Sequence, residues 1–383
     1  MFKGIVIKIS EQLMLFTNSV VYILERRGLF MKRKQILALI MALAIVLTGC
    51  GSKDTKEKME KKDGKSMSQS MKGDMKNKSI GSMGKLNISE GKGYPVTIKD
   101  VMGNEVTLKE KPKKIAATSG TFLGILYALG GESICTANLS GGSPVPKDAE
   151  NLPSIGEVYN PDIEKLVALK PDLAITQFGL QNKLIPALKE SNIPVLALQM
   201  KTYDEVLENL KAIGRIIGNE NKTEELITKM EKEKNDIVKK LPQNPKKVVI
   251  LYATSNDVSV KLENSIAGNV AKILKLKNIA AGKKGEGMGG ETIPFSIEEI
   301  VKEDPDVILV TSMVKSDKMA KEVIEKKLGE DTVWKNLRAV KEKKIVYLPQ
   351  KYFLFNAGEK FVDGIEFMAK AVYPEIYGEL NDK

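Results

Sequence analysis

The chain has no histidine among its 383 residues, only two cysteines and a single tryptophan. Each shortage closes off some chemistry. Without histidine the commonest general base is missing, so Ser-His catalysis and His-ligated zinc or manganese sites are excluded. Two cysteines are too few for a Cys-rich zinc site. Cys50 lies in a leader and Cys135 in "GGESICTANLS", so they are not expected to pair. Cys135 reads as a small buried apolar side chain. No nucleophile motif or cofactor fingerprint occurs, so the chain is not expected to be an enzyme. Arginine is scarce as well: after Pro95 only Arg215 and Arg338 remain, too few for a cluster that would grip a strongly anionic ligand.

The formal charge of +11 points towards nucleic acid until it is located. Residues 1–49 carry seven basic and two acidic side chains, and residues 51–94 carry eleven lysines and six acids, a net of +5 each. That leaves about +1 for everything from Pro95 onward, so no nucleic-acid partner is expected.

From Met31 the chain reads "MKRKQILALIMALAIVLTGCGSKD". Lys32, Arg33 and Lys34 precede an apolar stretch from Ile36 to Leu47, short for a bilayer span but the length of a signal-peptide core. Leu47-Thr48-Gly49-Cys50 resembles the bacterial lipobox. The resemblance implies a lipoprotein signal peptide at 31–49 and a lipid on Cys50, the mature N-terminus, at the extracellular face of a Gram-positive type of membrane. Translation is then expected to start at Met31, with residues 1–30 an extension outside the protein; AGG codons at Arg26 and Arg27 would form a ribosome-binding sequence. Residues 50–94 are Lys-, Ser-, Gly- and Met-rich and are expected to be a disordered tether. Met67, Met71 and Met75 recur every four residues. Thioethers suit Cu(I), so a copper-binding surface lipoprotein is one reading, and compositional drift in a tether is the other.

After Pro95 the pattern changes. "YPVTIKDVMGNEVTLKEKP" alternates around Gly103-Asn104 as a β-hairpin does. Apolar strands then alternate with helices, which predicts parallel sheets covered on both faces. One unit occurs twice: "YNPDIEKLVALKPDLAI" at 159–175 and "FSIEEIVKEDPDVILV" at 295–310. Pro112-Lys113-Lys114 and Pro245-Lys246-Lys247 lie 133 apart, while Glu164 and Glu298, like Pro171-Asp172 and Pro305-Asp306, lie 134 apart. Three anchors in near register predict two similar α/β lobes, at 95–217 and 245–383. One long helix within 218–244 would join them, and a ligand cleft would lie between them.

These residues resemble the substrate-binding lipoproteins of ABC importers for iron complexes, the class that takes siderophores, haem and cobalamin. The resemblance runs from about Pro95 to the C-terminus and is carried by "IEKLVALKPDLAI" together with the lipobox and the two lobes. It implies a monomer with rigid lobes and a glutamate on each that docks onto an arginine of the permease dimer. By position those are Glu164 and Glu298, with Glu299 as a neighbouring alternative. "VKLENSIAGNVAKILKLKNIAAG", "PDVILVTSM" and "DTVWKNLRAVKEKKIVYLPQKYFLFNAG" are most similar to the haem receptors of Gram-positive surface haem-uptake systems. Those receptors hold haem iron between one residue of each lobe, typically Met or Tyr against His. The corresponding positions here are Tyr159 and Met313, a departure that leaves a Tyr/Met pair in place of a histidine. Each also has a plain reading: Tyr159 as a cleft-lining tyrosine and Met313 as wall packing.

The side-chain inventory favours an apolar cargo with soft ligation. Phe178, Tyr252, Met288, Met313, Tyr352, Phe353 and Phe355 are expected near the cleft, and Lys315 would meet a propionate. Haem fits this set best; a ferric siderophore or cobalamin is the alternative. Trp334 reads as packing. "GEGMGGETIP" at 285–294 is expected as a cleft-edge loop, since it lacks the Gly-Lys-Ser/Thr ending of a phosphate loop.

Overall fold

The computed structural model describes residues 84–138, 145–285, 290–314, 316–355 and 358–380. The expected extension, signal peptide, Cys50 and Met-rich stretch lie outside these residues, as do Met288 and Lys315. Among the described residues no helix is long and apolar enough to cross a membrane.

The alternating stretch after Tyr94 forms its hairpin. β1 (Asn87–Ile88), β2 (Val96–Lys99) and β3 (Glu105–Leu108) make an antiparallel sheet, with Val96 opposite Leu108 and Ile98 opposite Val106. The period-two pattern puts those four side chains on one buried face. Asp100 ties the turn: its carboxylate accepts hydrogen bonds from the Met102 and Asn104 N–H groups and from Ala197. β1 corrects the expectation that the whole of 50–94 is a tether. Leu86, Ile88 and Tyr94 pack against the core, and the Tyr94 hydroxyl donates to the Ile216 carbonyl at 2.5 Å. These are among the few apolar residues of that stretch, and they hold its last part to the domain.

The N-terminal lobe follows. After β4 (Ile115–Ala117) come α1 (Gly120–Ala128) and a small sheet of β5 (Thr136–Asn138), β6 (Ser154–Glu157) and β7 (Asn160–Pro161). Then come α2 (Ile163–Ala168), β8 (Leu173–Gln177), α3 (Leu184–Glu190) and β9 (Val195–Leu198). β4, β8 and β9 pair in parallel in that order.

Two helices lead out of this lobe. α4 (Tyr203–Ile217) begins with a capping box between Thr202 and Glu205 and ends at Gly218, whose φ of 65° suits a residue without a Cβ. α5 (Glu220–Val238) restarts at once and runs for 19 residues, within the segment expected to connect the lobes.

The C-terminal lobe comprises β10 (Lys247–Ala253), β11 (Val258–Lys261), α6 (Ile266–Ile273), β12 (Lys277–Asn278), β13 (Thr292–Pro294), α7 (Ile297–Glu303) and β14 (Val307–Ser312). It continues with α8 (Asp317–Leu328), α9 (Thr332–Asn336), α10 (Arg338–Lys341), β15 (Ile345–Tyr347), α11 (Gln350–Phe353) and α12 (Phe361–Val372), and a last short helix spans Pro374–Tyr377. The sheet order is β13-β11-β10-β14-β15, with β10, β14 and β15 parallel. β13 takes the last residues of the expected 285–294 loop into the sheet, where Ile293 pairs with Val260.

Strand alternation sorts the core into three parts. Ala116, Ala174, Val195 and Ala197 face one N-lobe cluster, and Val249, Leu251, Ile308 and Val310 face one C-lobe cluster. Their neighbours Ile115, Leu173 and Leu196 of the first sheet and Val248, Ile250 and Leu309 of the second join a single third cluster. α4, α5 and α12 contribute Ile213, Met230 and Ile365 to it. The lobes thus share one apolar core, and moving one against the other would expose part of it.

The repeat has a direct structural reason. The Asp172 carboxylate accepts from the N–H groups of Lys113 and Lys114 at 2.8 and 2.9 Å. The Asp306 carboxylate accepts from Lys247 N–H at 2.7 Å. In return Asp172 N–H donates to the Lys114 carbonyl and Asp306 N–H to that of Lys247. Each Pro-Asp therefore fastens the start of its own strand to the start of a parallel neighbour, β8 to β4 and β14 to β10. The residues before the prolines, Lys170 and Asp304, both turn into left-handed backbone with φ of 49° and 40°.

Candidate functional site

Two neighbouring cavities, of about 310 and 180 Å³, share Tyr159, Met313, Leu354 and Phe355 as wall residues. Ser255, Val314, Met319 and Gln350 complete the larger one. Ser119, Gly120, Val158, Gln177 and Leu180 lie around the smaller one. Residues of both lobes meet here, so the cavities lie in the cleft between them. The walls come largely from the C-terminal ends of parallel strands: Ser119 follows β4, Gln177 ends β8 and Met313 follows β14.

Tyr159 sits with Val158 in the two-residue turn between β6 and β7, where Glu157 pairs with Asn160. It is half-buried, and burial pushes its phenol above the ordinary value. The turn is anchored by Gln181, which is fully buried. The Gln181 amide donates to the Val158 carbonyl at 3.1 Å and the Thr118 carbonyl at 2.8 Å. Its oxygen accepts from Thr118 Oγ1 at 2.6 Å and Gln177 N–H at 2.9 Å. One side chain thus ties the ends of β4 and β8 to the loop that carries Tyr159.

Met313 is 46% exposed. Its N–H donates to the Ala253 carbonyl, and its Sδ accepts from the Tyr252 hydroxyl at 3.1 Å. The Lys261 ammonium lies 4.3 Å from the centroid of the Tyr252 ring and pairs with Glu291 at 3.2 Å. Glu291 also pairs with Lys201. Desolvation works to raise the Glu291 carboxyl, but Lys261 and Lys201 outweigh it and hold it below the usual range. Burial raises the Tyr252 phenol, and Tyr159 and Glu291 add to that rise. The structure therefore brings Tyr159, Tyr252, Met313 and Phe355 together. The Thr121 hydroxyl donates to the Phe355 carbonyl at 2.8 Å, a bond across the cleft.

Other expected cleft residues lie elsewhere. Phe353 is 3% exposed and packs in the core with its ring centroid 6.1 Å from that of Phe367. Its placement in the cleft is therefore corrected. "YFLF" is expected at a strand end, but it closes the helical turn α11, which fans its side chains round instead of alternating them. Tyr352 is half-buried against Phe353 and Phe367, with Lys351 over its ring. Phe178 is half-buried just past β8 and is not a wall of either cavity. Trp334 is 4% exposed in the C-lobe core, and the Cys135 thiol is fully buried and pushed up to about 11. Arg215 pairs with Glu220, and Arg338 pairs with Asp304 and Asp306, so both arginines are engaged within the fold.

Glu164 and Glu298 are the second residues of α2 and α7, and both are exposed. Each follows a side-chain cap, Asp162 in one lobe and Ser296 in the other. Glu299 is held by Lys283 at 2.5 Å, whereas among the described residues Glu298 accepts only a local bond from Ser296.

The periplasmic binding protein profile matches residues 115–352, more than half of the chain. The chain belongs to that family. It is 26% identical over 357 residues to YvrC of Bacillus subtilis, an uncharacterised ABC transporter substrate-binding lipoprotein, covering 91% of this chain and 99% of YvrC. It is 24% identical over 243 residues to the Fe(3+)-citrate-binding protein YfmC of the same organism, covering 62% and 73%. The crystal structure of Staphylococcus aureus IsdE complexed with heme matches its fold with a TM-score of 0.60 at 18% identity, over 67% of this chain and 98% of that one.

In this periplasmic binding protein the cleft also uses residues that sequence reading passed over: Ser119, Gln177, Gln181, Gln350 and Leu354. A signal for some of them was present. Ser119 and Gln177 sit where apolar strands end, which is where α/β sheets gather ligands. Gln181 left no such signal, because its role depends on a contact 63 residues away in the chain.

Proposed function

We propose that this protein captures an iron complex in the inter-lobe cleft, with haem as the favoured cargo, and delivers it to an ABC permease. The observation that carries this reading is that Tyr159 and Met313, one from each lobe, line the same two cavities. Phenolate and thioether are both haem-iron ligands. The surrounding wall suits a flat apolar macrocycle: Val158, Leu180, Met319, Leu354 and Phe355. With both described arginines engaged in ion pairs within the fold, a polyanionic ferric siderophore has less to hold it. The names of two relatives, one binding Fe(3+)-citrate and one complexed with heme, support the iron-complex class. A lipid on Cys50 would keep the protein at the membrane, and Glu164 and Glu298 would dock onto the permease.

The test is a titration of the full chain with haemin, followed by absorbance. A saturable Soret band that is lost in a Tyr159→Ala, Met313→Ala double variant supports the reading. No spectral change with haemin, together with binding of ferric citrate, moves the cargo to the ferric-carboxylate class.

A further inference from the structure

We propose that Ser119 and the N-terminal end of α1 form a carboxylate-binding subsite in the wall of the cleft. This rests on the iron-complex reading and names the chemical handle by which the cargo is held.

Ser119 is the residue before α1, in extended backbone, and lines the smaller cavity beside Gly120. It is 2% exposed, and its hydroxyl has no hydrogen-bond partner among the described residues. It does not cap its own helix either. A buried hydroxyl without a partner destabilises the fold, so its retention at a cavity wall asks for a partner that arrives from outside. The helix behind it supplies the matching charge. α1 has nine residues and no acid in its first turn, so no side chain there offsets the positive end of its dipole. The first N–H groups of a helix have no acceptor within it, and Gly120 has no side chain to shield its own. The nearby acid, Glu359, packs on Gly124, further along the helix.

The ligand class follows from this balance. One helix end carries about half a unit of charge and a few donors, a match for a carboxylate. Val158 and Leu180 make the rest of this wall apolar. The subsite therefore selects an apolar body that bears a carboxylate, rather than a complex charged on all sides.

The experiment compares haemin with haemin dimethyl ester, whose carboxylates are blocked, on the full chain by absorbance titration. Wild type is expected to bind haemin at least tenfold more tightly than the ester. Ser119→Asp places a fixed carboxylate at the subsite and is tolerated there, because Asp is as favoured as Ser at the position before a helix. It should weaken haemin binding at least tenfold and leave the ester within twofold. Equal affinity of wild type for the two probes overturns the subsite and leaves the iron-complex reading standing. So does a Ser119→Asp variant that binds haemin normally, or that loses both probes equally. If haemin does not bind but ferric citrate does, a tenfold loss of ferric citrate in Ser119→Asp supports the subsite and an unchanged affinity overturns it. Binding of neither haemin nor ferric citrate brings down both readings.

Discussion

The Tyr252 hydroxyl donates a hydrogen bond to the Met313 thioether across 3.1 Å, joining the ends of β10 and β14. Met313 is 46% exposed and would otherwise sample several rotamers. The bond uses one sulfur lone pair and leaves the other for a ligand. Ordering a methionine costs on the order of 1 kcal/mol, roughly a factor of five in affinity. Tyr252→Phe keeps the ring and removes only this tether. Haemin affinity should fall about fivefold with little change in melting temperature. An unaltered affinity would mean that the bond does not position the thioether.

Gln181 uses both ends of its amide at once, towards Thr118, Val158 and Gln177. Gln181→Leu keeps the bulk and abandons these partners in a fully buried site. The expected cost is about 2–4 kcal/mol of stability, read as a lower urea midpoint. Because the same amide anchors the turn carrying Tyr159, haemin affinity should fall too, even under conditions where the variant is folded. A lower midpoint with unchanged affinity would make Gln181 purely structural.

How far these relationships were legible depended on their range in the chain. Hydrophobic alternation is local, so the hairpin, the strands and α4 follow from their own residues. The repeat is legible because the same fastening is used twice: an aspartate after a proline, bonded to the start of a Pro-Lys-Lys strand. Tyr159 and Met313 were reached through resemblance, and the structure places both at the cavities. Phe353 shows where pattern reading fails. The four residues of "YFLF" are all large and aromatic or apolar, and only the path of the chain through and beyond α11 decides which ones face the cleft. Tyr94 shows the converse, since a polar stretch can be held by an anchor whose partner lies far along the chain.

The two exposed glutamates predict a separation of binding from delivery. Glu164→Ala with Glu298→Ala removes two helix first-turn carboxylates that lie away from the cavity walls. Stability should change by less than about 1 kcal/mol, as for exposed groups at a helix start. Haemin binding should be unchanged, while uptake by cells carrying the permease should be lost. Glu299→Ala is the control, because Glu299 is already engaged by Lys283. Uptake that survives the double change, or that depends on Glu299 instead, would reassign the docking contacts.

Glu359 carries the pH prediction. Its carboxylate packs on α1, where a Cβ added to Gly124 would come within 2.9 Å of Oε2. Desolvation pushes its carboxyl above the ordinary value, with Lys360 opposing and Asp363 adding. A raised folded-state value means that the folded protein holds the proton more tightly than the unfolded chain. Below the ordinary carboxylate pKa of about 4.3 the group is protonated in both states and costs nothing. As the pH rises through that value the unfolded chain ionises first, so stability falls until the folded-state value is passed. Glu359→Gln keeps the shape and removes the titration. Glu291 and Asp306 behave oppositely, being held below the usual range, so their contribution is lost as the pH falls. That loss is common to wild type and variant and cancels in the comparison. The variant should therefore melt at a higher temperature than wild type near neutral pH, with the gain vanishing at about pH 3.5. A gain that persists at acid pH would point to packing against Gly124 instead of charge.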